Sequence, residues 1–417
     1  MRAPMPSRRG LLHGTAALAA TALLPRSLGA TPFGALADAA SNGRTLVLLE
    51  LAGGNDGLNT LVPLDDDAYR AARGELAITD ALPLAGQQRV GLHPALSRLA
   101  ALHDAGRVAL VEGVGYPEPQ RSHFLSRDIW HTADLGGRQR DRGWIGRLSD
   151  THFLDAADPN AVICLGNQVP YVCRAREHQA VALSSPVAYR VLGDDRLVAS
   201  LDTAVSADQV SDRARAFLRK SYLDARASSD AVRKAAAAHS PSVDYPDLDL
   251  ADDLKLVAGL LAGGLDTRVF SVSTGGFDTH TDQRNRQQRL LEQLDRSLTA
   301  FQADLEAHGL ADDVLVLVYS EFGRRVKANG SGGTDHGTAG PVLLLGKAVQ
   351  GGLHGAPPDL TDLDDNGDLR YTTDFRRVYA TLLERWFEVP SGPILRAETG
   401  ARAGEDTEGF DPLPLLT

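Results

Sequence analysis

The chain has 417 residues, 43% of them hydrophobic, with 43 Lys and Arg against 54 Asp and Glu, which gives a net charge of −11. A chain of this length and hydrophobicity can bury a large core, in one large domain or two. The negative charge argues against a nucleic acid as partner, because nucleic-acid binding relies on a basic surface. It does not exclude a small anionic ester, whose recognition depends on a few local charges.

The first residues have the pattern of an export signal. The segment Ser7-Arg8-Arg9-Gly10-Leu11-Leu12 carries two arginines ahead of a mildly apolar run that ends at Leu24. Small residues near Ala30 and at Ala35-Leu36-Ala37 offer two cleavage sites. We therefore expect a twin-arginine signal peptide over residues 1–37, the twin-arginine translocase as a partner during export, and a periplasmic or secreted protein. The alternative interpretation is a disordered basic arm.

Residues 38–417 are expected to form a single domain. The apolar run near the start is too short to cross a membrane, which takes about twenty apolar residues, and no later stretch is that long. We therefore expect no stable membrane insertion. The two cysteines, Cys164 and Cys173, are too far apart for a Cys-x-x-Cys motif. In an oxidising compartment they either pair or are buried as thiols.

Six strand-like runs recur along the chain, and most are almost continuously apolar, as a sheet covered on both faces requires. They are Thr45–Leu51, Val108–Val114, Ala161–Leu165, Arg268–Val272, Val314–Tyr319 and Pro341–Leu345. Helical patterns lie between them, and the clearest spans Thr281 to His308 and stops at Gly309. This alternation predicts a doubly wound, mostly parallel α/β sheet flanked by helices. A charged, alanine-rich stretch at about 205–245 predicts a peripheral helical insert.

Carboxylates and imidazoles are found near strand ends, where ligands bind in doubly wound sheets. Asp56 follows the first strand, and Glu321 follows Val314–Tyr319. Asp278 and His280 follow Arg268–Val272, and residues two apart in an extended segment point the same way. His336 ends a glycine-rich loop just ahead of the last strand. A carboxylate with an imidazole suits zinc, manganese or iron, and a carboxylate alone also suits magnesium or calcium.

Each of these residues also has an ordinary structural interpretation. Asp56 lies in an Asn-Asp-Gly sequence, which is common in turns. Asp278 is placed to cap the helix that follows, although capping does not explain His280. Glu321 is equally consistent with a solvated charge after a strand, and a lone histidine such as His336 is more often structural than a ligand. The four segments together are far less expected by chance than any one of them.

Five motifs together resemble a bacterial family known as the domain of unknown function 1501 (DUF1501), whose members often carry twin-arginine signals. They are Leu51-Ala52-Gly53-Gly54-Asn55-Asp56-Gly57, Arg121-Ser122-His123-Phe124, Gly275-Gly276-Phe277-Asp278-Thr279-His280, Ser320-Glu321-Phe322-Gly323-Arg324 and Thr334-Asp335-His336-Gly337. The resemblance spans about Thr45 to Phe387. It implies an alkaline-phosphatase-like or sulfatase-like fold, with one or two divalent metal ions at the carboxyl edge of a parallel-rich sheet. Zinc, manganese, magnesium and calcium are the candidate ions.

The resemblance also implies a ligand set. Asp56 matches the aspartate after the first strand, Asp278 and His280 look like the aspartate and histidine of a later loop, and His336 looks like the final histidine. Glu321 stands where an Asp-His or Asp-Asn pair is usual.

The sequence departs from the superfamily at two points. Phe322 takes the place of the second ligand, so one metal position is short of a ligand unless Asp335 compensates. The sulfatase signature, Cys or Ser followed by x-Pro-x-Arg, does not occur in the mature sequence. A formylglycine sulfatase is therefore not expected.

The nucleophile is expected at the amino end of the helix after the second strand, where Ser122 lies. A helix amino terminus offers free N–H groups and a favourable dipole to an anion. Ser122 is thus either a nucleophile activated by a metal or a helix N-cap. Arg121 and Arg324 are the candidates to hold the anionic oxygens of a substrate.

These observations favour an exported metal-dependent hydrolase acting on a small phosphate or sulfate ester. An exported binding or assembly protein that keeps the fold without the chemistry is the first alternative, and the missing ligand at Phe322 favours it. A metal-free serine esterase is the second, suggested by Gly54-Asn55-Asp56. The sequence lacks the G-x-S-x-G elbow of many such enzymes.

Overall fold

A computed structural model describes residues 43–137, 141–153, 159–189, 213–396 and 410–417, with the backbone alone described over 213–224. The predicted signal peptide, residues 1–37, and the start of the predicted insert lie outside these ranges. Within them, no helix is both long enough and apolar enough to cross a membrane.

Twelve strands occur in the described residues. They are β1 (Thr45–Leu51), β2 (Leu61–Pro63), β3 (Leu82–Pro83), β4 (Val90–Leu92), β5 (Val108–Gly115), β6 (Val162–Leu165), β7 (Val181–Leu183), β8 (Val269–Thr274), β9 (Val314–Tyr319), β10 (Gly340–Leu345), β11 (Gly352–His354) and β12 (Thr373–Asp374). Nine of them form one sheet in the order β11-β5-β10-β9-β1-β8-β6-β7, and β12 pairs with β5. The other three form a small sheet in the order β2-β4-β3.

Nine α-helices occur in the described residues, seven of them between strands and two after the last strand. They are α1 (Asp67–Arg73), α2 (Ser97–Asp104), α3 (His123–Thr132), α4 (Trp144–His152), α5 (Arg213–Ala238), α6 (Asp249–Ala262), α7 (Gln283–Ala307), α8 (Phe375–Thr381) and α9 (Gly392–Leu395). A π-helical turn, Leu382–Trp386, continues α8.

Helices cover both faces of the large sheet, as the apolar strands predict. Alternate residues of β1 point to opposite faces. Leu46 and Leu48 join a core with α3, α4 and α8, whereas Val47 and Leu49 join a second core with α2, α6 and α7. The predicted doubly wound, mostly parallel architecture is therefore confirmed.

Where the sequence pattern is long, the predicted bounds of a strand or helix agree with the observed ones. The strands β1 and β9 have the predicted bounds, and α7 begins at Gln283 and ends at Ala307 within the predicted helix. Strands β2, β3, β4, β7, β11 and β12 have only two or three residues, too few to show a period of two. Helix α5 falls in the predicted insert, and its Val232 is buried in the second core.

The direction of β10 determines at which edge of the sheet its preceding loop lies. All pairings in the large sheet are parallel except those of β10 with β5 and β9. Gly340, the first residue of β10, pairs with Val114 near the carboxyl end of β5. The loop before β10 therefore lies at the same edge as the loops that follow β1, β5, β8 and β9. We call this the carboxyl edge.

The two cysteines are buried as free thiols. Cys164 lies in β6 and Cys173 in a short 3-10 turn, and both belong to the core on the α3 side of the sheet. Both thiols are thus kept from solvent.

Candidate metal centre

Three side chains from separate segments converge at the carboxyl edge. His123 is the first residue of α3, Asp278 lies in the loop after β8, and His336 lies in the loop before β10. One ligand atom of each lies within 4.8 Å of the others, an arrangement that could hold a metal ion. We call these residues the His–Asp–His cluster.

The carboxylate of Asp278 is the centre of this cluster. Its Oδ1 lies 3.1 Å from Nε2 of His336 and 3.0 Å from Nε2 of His280. Its Oδ2 lies 3.6 Å from Nε2 of His123. Ligand atoms of a tetrahedral zinc site with bonds of about 2.0–2.1 Å are about 3.3 Å apart. The observed separations lie around that value, and Nε2 of His280, which adjoins Asp278 and His336, is a candidate for a fourth ligand atom.

Each of the three imidazoles is held at its other ring nitrogen, Nδ1, by an oxygen. The pairs are His123 with Glu321 Oε1 at 2.8 Å, His280 with Asp335 Oδ1 at 2.9 Å, and His336 with the Arg121 carbonyl at 2.8 Å. A carbonyl and a carboxylate accept hydrogen bonds, so Nδ1 donates in each pair. Metal-binding histidines are commonly held in this way, with Nε2 left as the ligand atom.

With this tautomer assignment, two imidazole lone pairs face each other beside the Asp278 carboxylate. In neutral imidazoles that carry hydrogen at Nδ1, each Nε2 presents a lone pair. The Nε2 atoms of His280 and His336 lie 3.0 Å apart, beside the Asp278 carboxylate, so their lone pairs repel unless a proton or a metal ion lies between them. Neutral imidazoles with one carboxylate suit a zinc-type ion.

Asp278 is kept ionised by its surroundings. Burial raises the pKa of its carboxyl, but the hydrogen bond and the positive charge of Arg324 outweigh that effect, and the pKa is lowered to about 2. Arg324 donates to Asp278 at 2.7 Å. A carboxylate that stays charged at neutral pH is available to a cation without losing a proton first.

Arg324 joins the loops that form the site. Its buried guanidinium donates to the carbonyls of Gly54 at 2.7 Å, Thr334 at 2.9 Å and Phe277 at 3.0 Å. These carbonyls belong to the loops after β1, before β10 and after β8. Arg324 therefore stabilises the position of Asp278, and its guanidinium donates its hydrogen bonds to groups of the protein itself.

Glu321 orients His123, one member of the cluster, by accepting a hydrogen bond from its Nδ1. Its carboxylate is buried and accepts hydrogen bonds from the backbone N–H of Gly53 at 2.9 Å and of Gly54 at 3.1 Å. A Cβ at Gly53 would lie 2.4 Å from the backbone nitrogen of Asp278, so only glycine fits there. The glycines after β1 therefore bring that loop close enough to hold Glu321 against His123.

Phe322 occupies the floor of the site. Its ring centroid lies 4.9 Å from those of His123 and His336. A Cβ at Gly54 would lie 2.3 Å from the Phe322 ring. Phe322 therefore packs under two imidazoles and fixes their orientation.

The structure does not bring Asp56 into the cluster. Its side chain is 1% exposed and forms an ion pair with Arg73, the last residue of α1. The Gln283 side chain also donates to it. Asp56 thus ties α1 and α7 to the loop after β1.

We expect Asp56→Ala to lower the free energy of unfolding by about 3–5 kcal/mol, because it leaves the Arg73 charge buried and unpaired. Urea denaturation measures the change. Asp67→Ala is the matched control, since Asp67 forms an exposed pair with Arg70 and such pairs contribute at most about 1 kcal/mol. Loss of metal from Asp56→Ala with unchanged stability would instead make Asp56 a ligand.

Ser122 lies between two residues that contact the cluster. The Arg121 carbonyl before it accepts from His336, and the His123 ring after it belongs to the cluster. Ser122 has the N-cap position of α3, yet its side chain makes no capping hydrogen bond. The Arg121 guanidinium is directed to Asp368 at 2.6 Å and Asp364 at 2.7 Å.

His123 is the site residue that sequence reasoning missed. It is part of the Arg121-Ser122-His123-Phe124 motif, in which the serine is the predicted functional residue. The predicted ligands after β1, β8 and β9 follow their strands within six residues, whereas seven residues separate His123 from β5. The signal that points to it is an imidazole at the first turn of a helix after a strand whose carboxyl end faces the site.

The chain is an α/β protein. At the carboxyl edge of its sheet lies a cluster of histidines and one aspartate that could hold a metal ion. The chain belongs to the family described as Protein of unknown function (DUF1501), which matches residues 43–396. The family resemblance found in the motifs is therefore confirmed. Among curated proteins, none matches the sequence.

Three solved structures illustrate what the fold is similar to. A protein in the alkaline phosphatase superfamily from Vibrio parahaemolyticus is 12% identical, with 87% of this chain and 78% of that chain covered and a TM-score of 0.40. The lipoteichoic acid synthase LtaP from Listeria monocytogenes is 11% identical, with 86% and 76% covered and a TM-score of 0.38. A phosphonate monoester hydrolase of Agrobacterium radiobacter is 10% identical, with 72% and 68% covered and a TM-score of 0.34.

Proposed function

We propose that this protein is an exported, metal-dependent hydrolase of phosphate or sulfate esters. The observation that supports it most is the convergence of three Nε2 atoms on the ionised Asp278 carboxylate, with every Nδ1 bonded to an oxygen. We infer one zinc-type ion, because three imidazoles favour such an ion over magnesium or calcium. Within the described residues, one cluster of this kind occurs.

The residues of the site then have distinct roles. His123, His280, His336 and Asp278 would hold the ion, which would stabilise negative charge on the oxygens of the ester. Ser122, whose hydroxyl makes no capping bond, would attack phosphorus or sulfur and form a covalent ester while the alcohol leaves. Water would then release the inorganic anion and restore the hydroxyl.

One observation favours a second candidate, a binding or assembly protein that has kept the fold without catalysis. Both arginines predicted to hold a substrate anion are engaged within the protein, Arg121 with Asp364 and Asp368 and Arg324 with Asp278. In a hydrolase, recognition of the anion would depend on the metal ion and on the free N–H groups at the start of α3.

Turnover of a panel of aryl phosphate and sulfate esters, measured with and without added zinc or manganese, separates these candidates. The proposed hydrolase turns over at least one ester and loses that activity on chelation. Stoichiometric metal without turnover of any ester supports the binding protein. Turnover that persists in chelator supports a metal-free serine esterase.

Export through the twin-arginine route is proposed from the segment around Arg8 and Arg9. The double variant Arg8→Lys, Arg9→Lys is expected to stay in the cytoplasm, because lysine does not reproduce the planar guanidinium that the receptor reads. Cell fractionation and immunoblotting measure this. Substitution of Arg2 with Lys, outside the pair, is the control and should be exported normally. Periplasmic accumulation of the double variant would contradict the proposal.

A further inference from the structure

Two exposed apolar side chains lie next to His123 in the chain. In the described part of the chain, four large apolar side chains are exposed: Phe124 at 78%, Leu125 at 54%, Tyr371 at 37% and Val187 at 80%. Phe124 and Leu125 directly follow His123 in the first turn of α3. Because they lie on a regular helix, their exposure is a fixed feature of the surface.

Tyr371 lines a cavity that shares the Phe322 side chain with the cluster. The cavity has a volume of about 470 Å³ and lies between the turn after β5 and the segment before β12. Tyr371, Pro117 and Pro119 line it, and so does Phe322. Since the Phe322 ring contacts both His123 and His336, the cavity borders the floor of the cluster. Its volume is within the range of small-molecule sites, about 300–1,000 Å³.

We propose that the ester bound at this centre carries an aromatic or similarly flat apolar group, which binds in this cavity against Tyr371, with Phe124, exposed next to His123 in the chain, as a further contact. The proposal rests on the proposed function. Aromatic walls bind flat apolar groups through burial of area and ring packing. Contacts to such a non-reacting group can also be used to lower the barrier at the reacting centre.

A membrane surface is the other occupant that exposed apolar residues suggest. Two observations favour the small molecule. The cavity is concave, as small-molecule sites are. The net charge of −11 also disfavours the anionic surface that many membranes present.

Calorimetric titration of metal-loaded protein with phenylphosphonate and methylphosphonate tests the proposal, because neither compound is hydrolysed as an ester. Wild type is expected to bind phenylphosphonate about tenfold more tightly or better. Tyr371→Ala and Phe124→Ala are each expected to weaken phenylphosphonate binding about three- to tenfold. Neither should change methylphosphonate affinity or metal content. Tyr371→Phe should keep the wild-type preference.

Val187→Ala is the matched control, because Val187 is as exposed as Phe124 but lies beyond β7, at the opposite edge of the sheet from β11. Its phosphonate affinities should equal those of wild type. Equal affinity of wild type for the two phosphonates, together with turnover of methyl phosphate, would overturn the inference and leave the hydrolase standing. Binding of neither phosphonate and turnover of no ester would contradict the proposed function itself.

Sedimentation with phosphatidylcholine vesicles addresses the membrane. Wild type is expected to remain in the supernatant. Vesicle binding that Phe124→Ala and Leu125→Ala reduce, with phenylphosphonate affinity unchanged, would assign the patch to a membrane and overturn the inference.

Discussion

Replacing His336 with alanine is expected to remove bound metal from a protein that stays folded. The imidazole supplies one of the four convergent ligand atoms, and its Nε2 lies 3.1 Å from Asp278. The ring is part of a loop at the carboxyl edge, outside both large cores, so its loss leaves the sheet intact. Metal content of the purified variant and its melting temperature give the two readouts.

Two further variants make this result specific. Glu321→Gln is expected to weaken metal binding about 10–100-fold, because Glu321 orients His123 and such outer partners typically contribute that much. His354→Ala is the control, since His354 lies on β11 and bonds the Gln350 carbonyl. Retention of full metal by His336→Ala would show that the cluster is a hydrogen-bonded network of the protein.

Replacing Ser122 with alanine is expected to abolish ester turnover, by at least about a thousandfold, as loss of a nucleophile does. Metal content should be kept, because the Ser122 hydroxyl is not among the convergent ligand atoms. An N-cap serine that bonds the helix contributes about 1 kcal/mol. Since Ser122 makes no such bond, the alanine variant should melt at nearly the wild-type temperature.

The variants Ser122→Thr and Ser122→Asn complete this test. Threonine keeps a hydroxyl at the same position and is expected to retain part of the turnover. Asparagine is a good N-cap without a hydroxyl, so it should be stable and inactive. A lowered melting temperature in Ser122→Ala with near-normal turnover would assign Ser122 to capping alone, and water would then be the nucleophile.

Long apolar patterns made most of the fold predictable. β1 and β9 were predicted with their observed bounds because both strands are buried on two faces and are continuously apolar. The predicted stripe of α7 is buried in the second core, including Leu291, Leu294 and Leu298. The short strands could not be predicted, because two or three residues pair through their backbone and carry no pattern of their own.

The candidate site was predictable where its residues directly adjoin strands. Asp278, His280 and His336 meet because the loops after β8 and before β10 share one edge. The antiparallel direction of β10, which brings its preceding loop there, depends on pairing between distant segments. That pairing could not be predicted from His336 and its neighbours in the chain.

The roles of the Asp56 and Glu321 carboxylates could not be assigned from the sequence, because each depends on a partner from a distant segment of the chain. Asp56 follows β1 as a ligand would, but Arg73 of α1 neutralises it. Glu321 also follows a strand, yet the N–H groups of Gly53 and Gly54 hold it behind His123. In both cases the role of the carboxylate depends on which cation or donor the fold brings to it.

Metal analysis of protein purified without added metal tests the central claim most directly. About one equivalent of a zinc-type ion per chain is expected, removed by a chelator and restored by titration with zinc, as for a four-ligand centre. Protein that contains no stoichiometric metal, and that binds none on titration with zinc, manganese, magnesium or calcium, would contradict it.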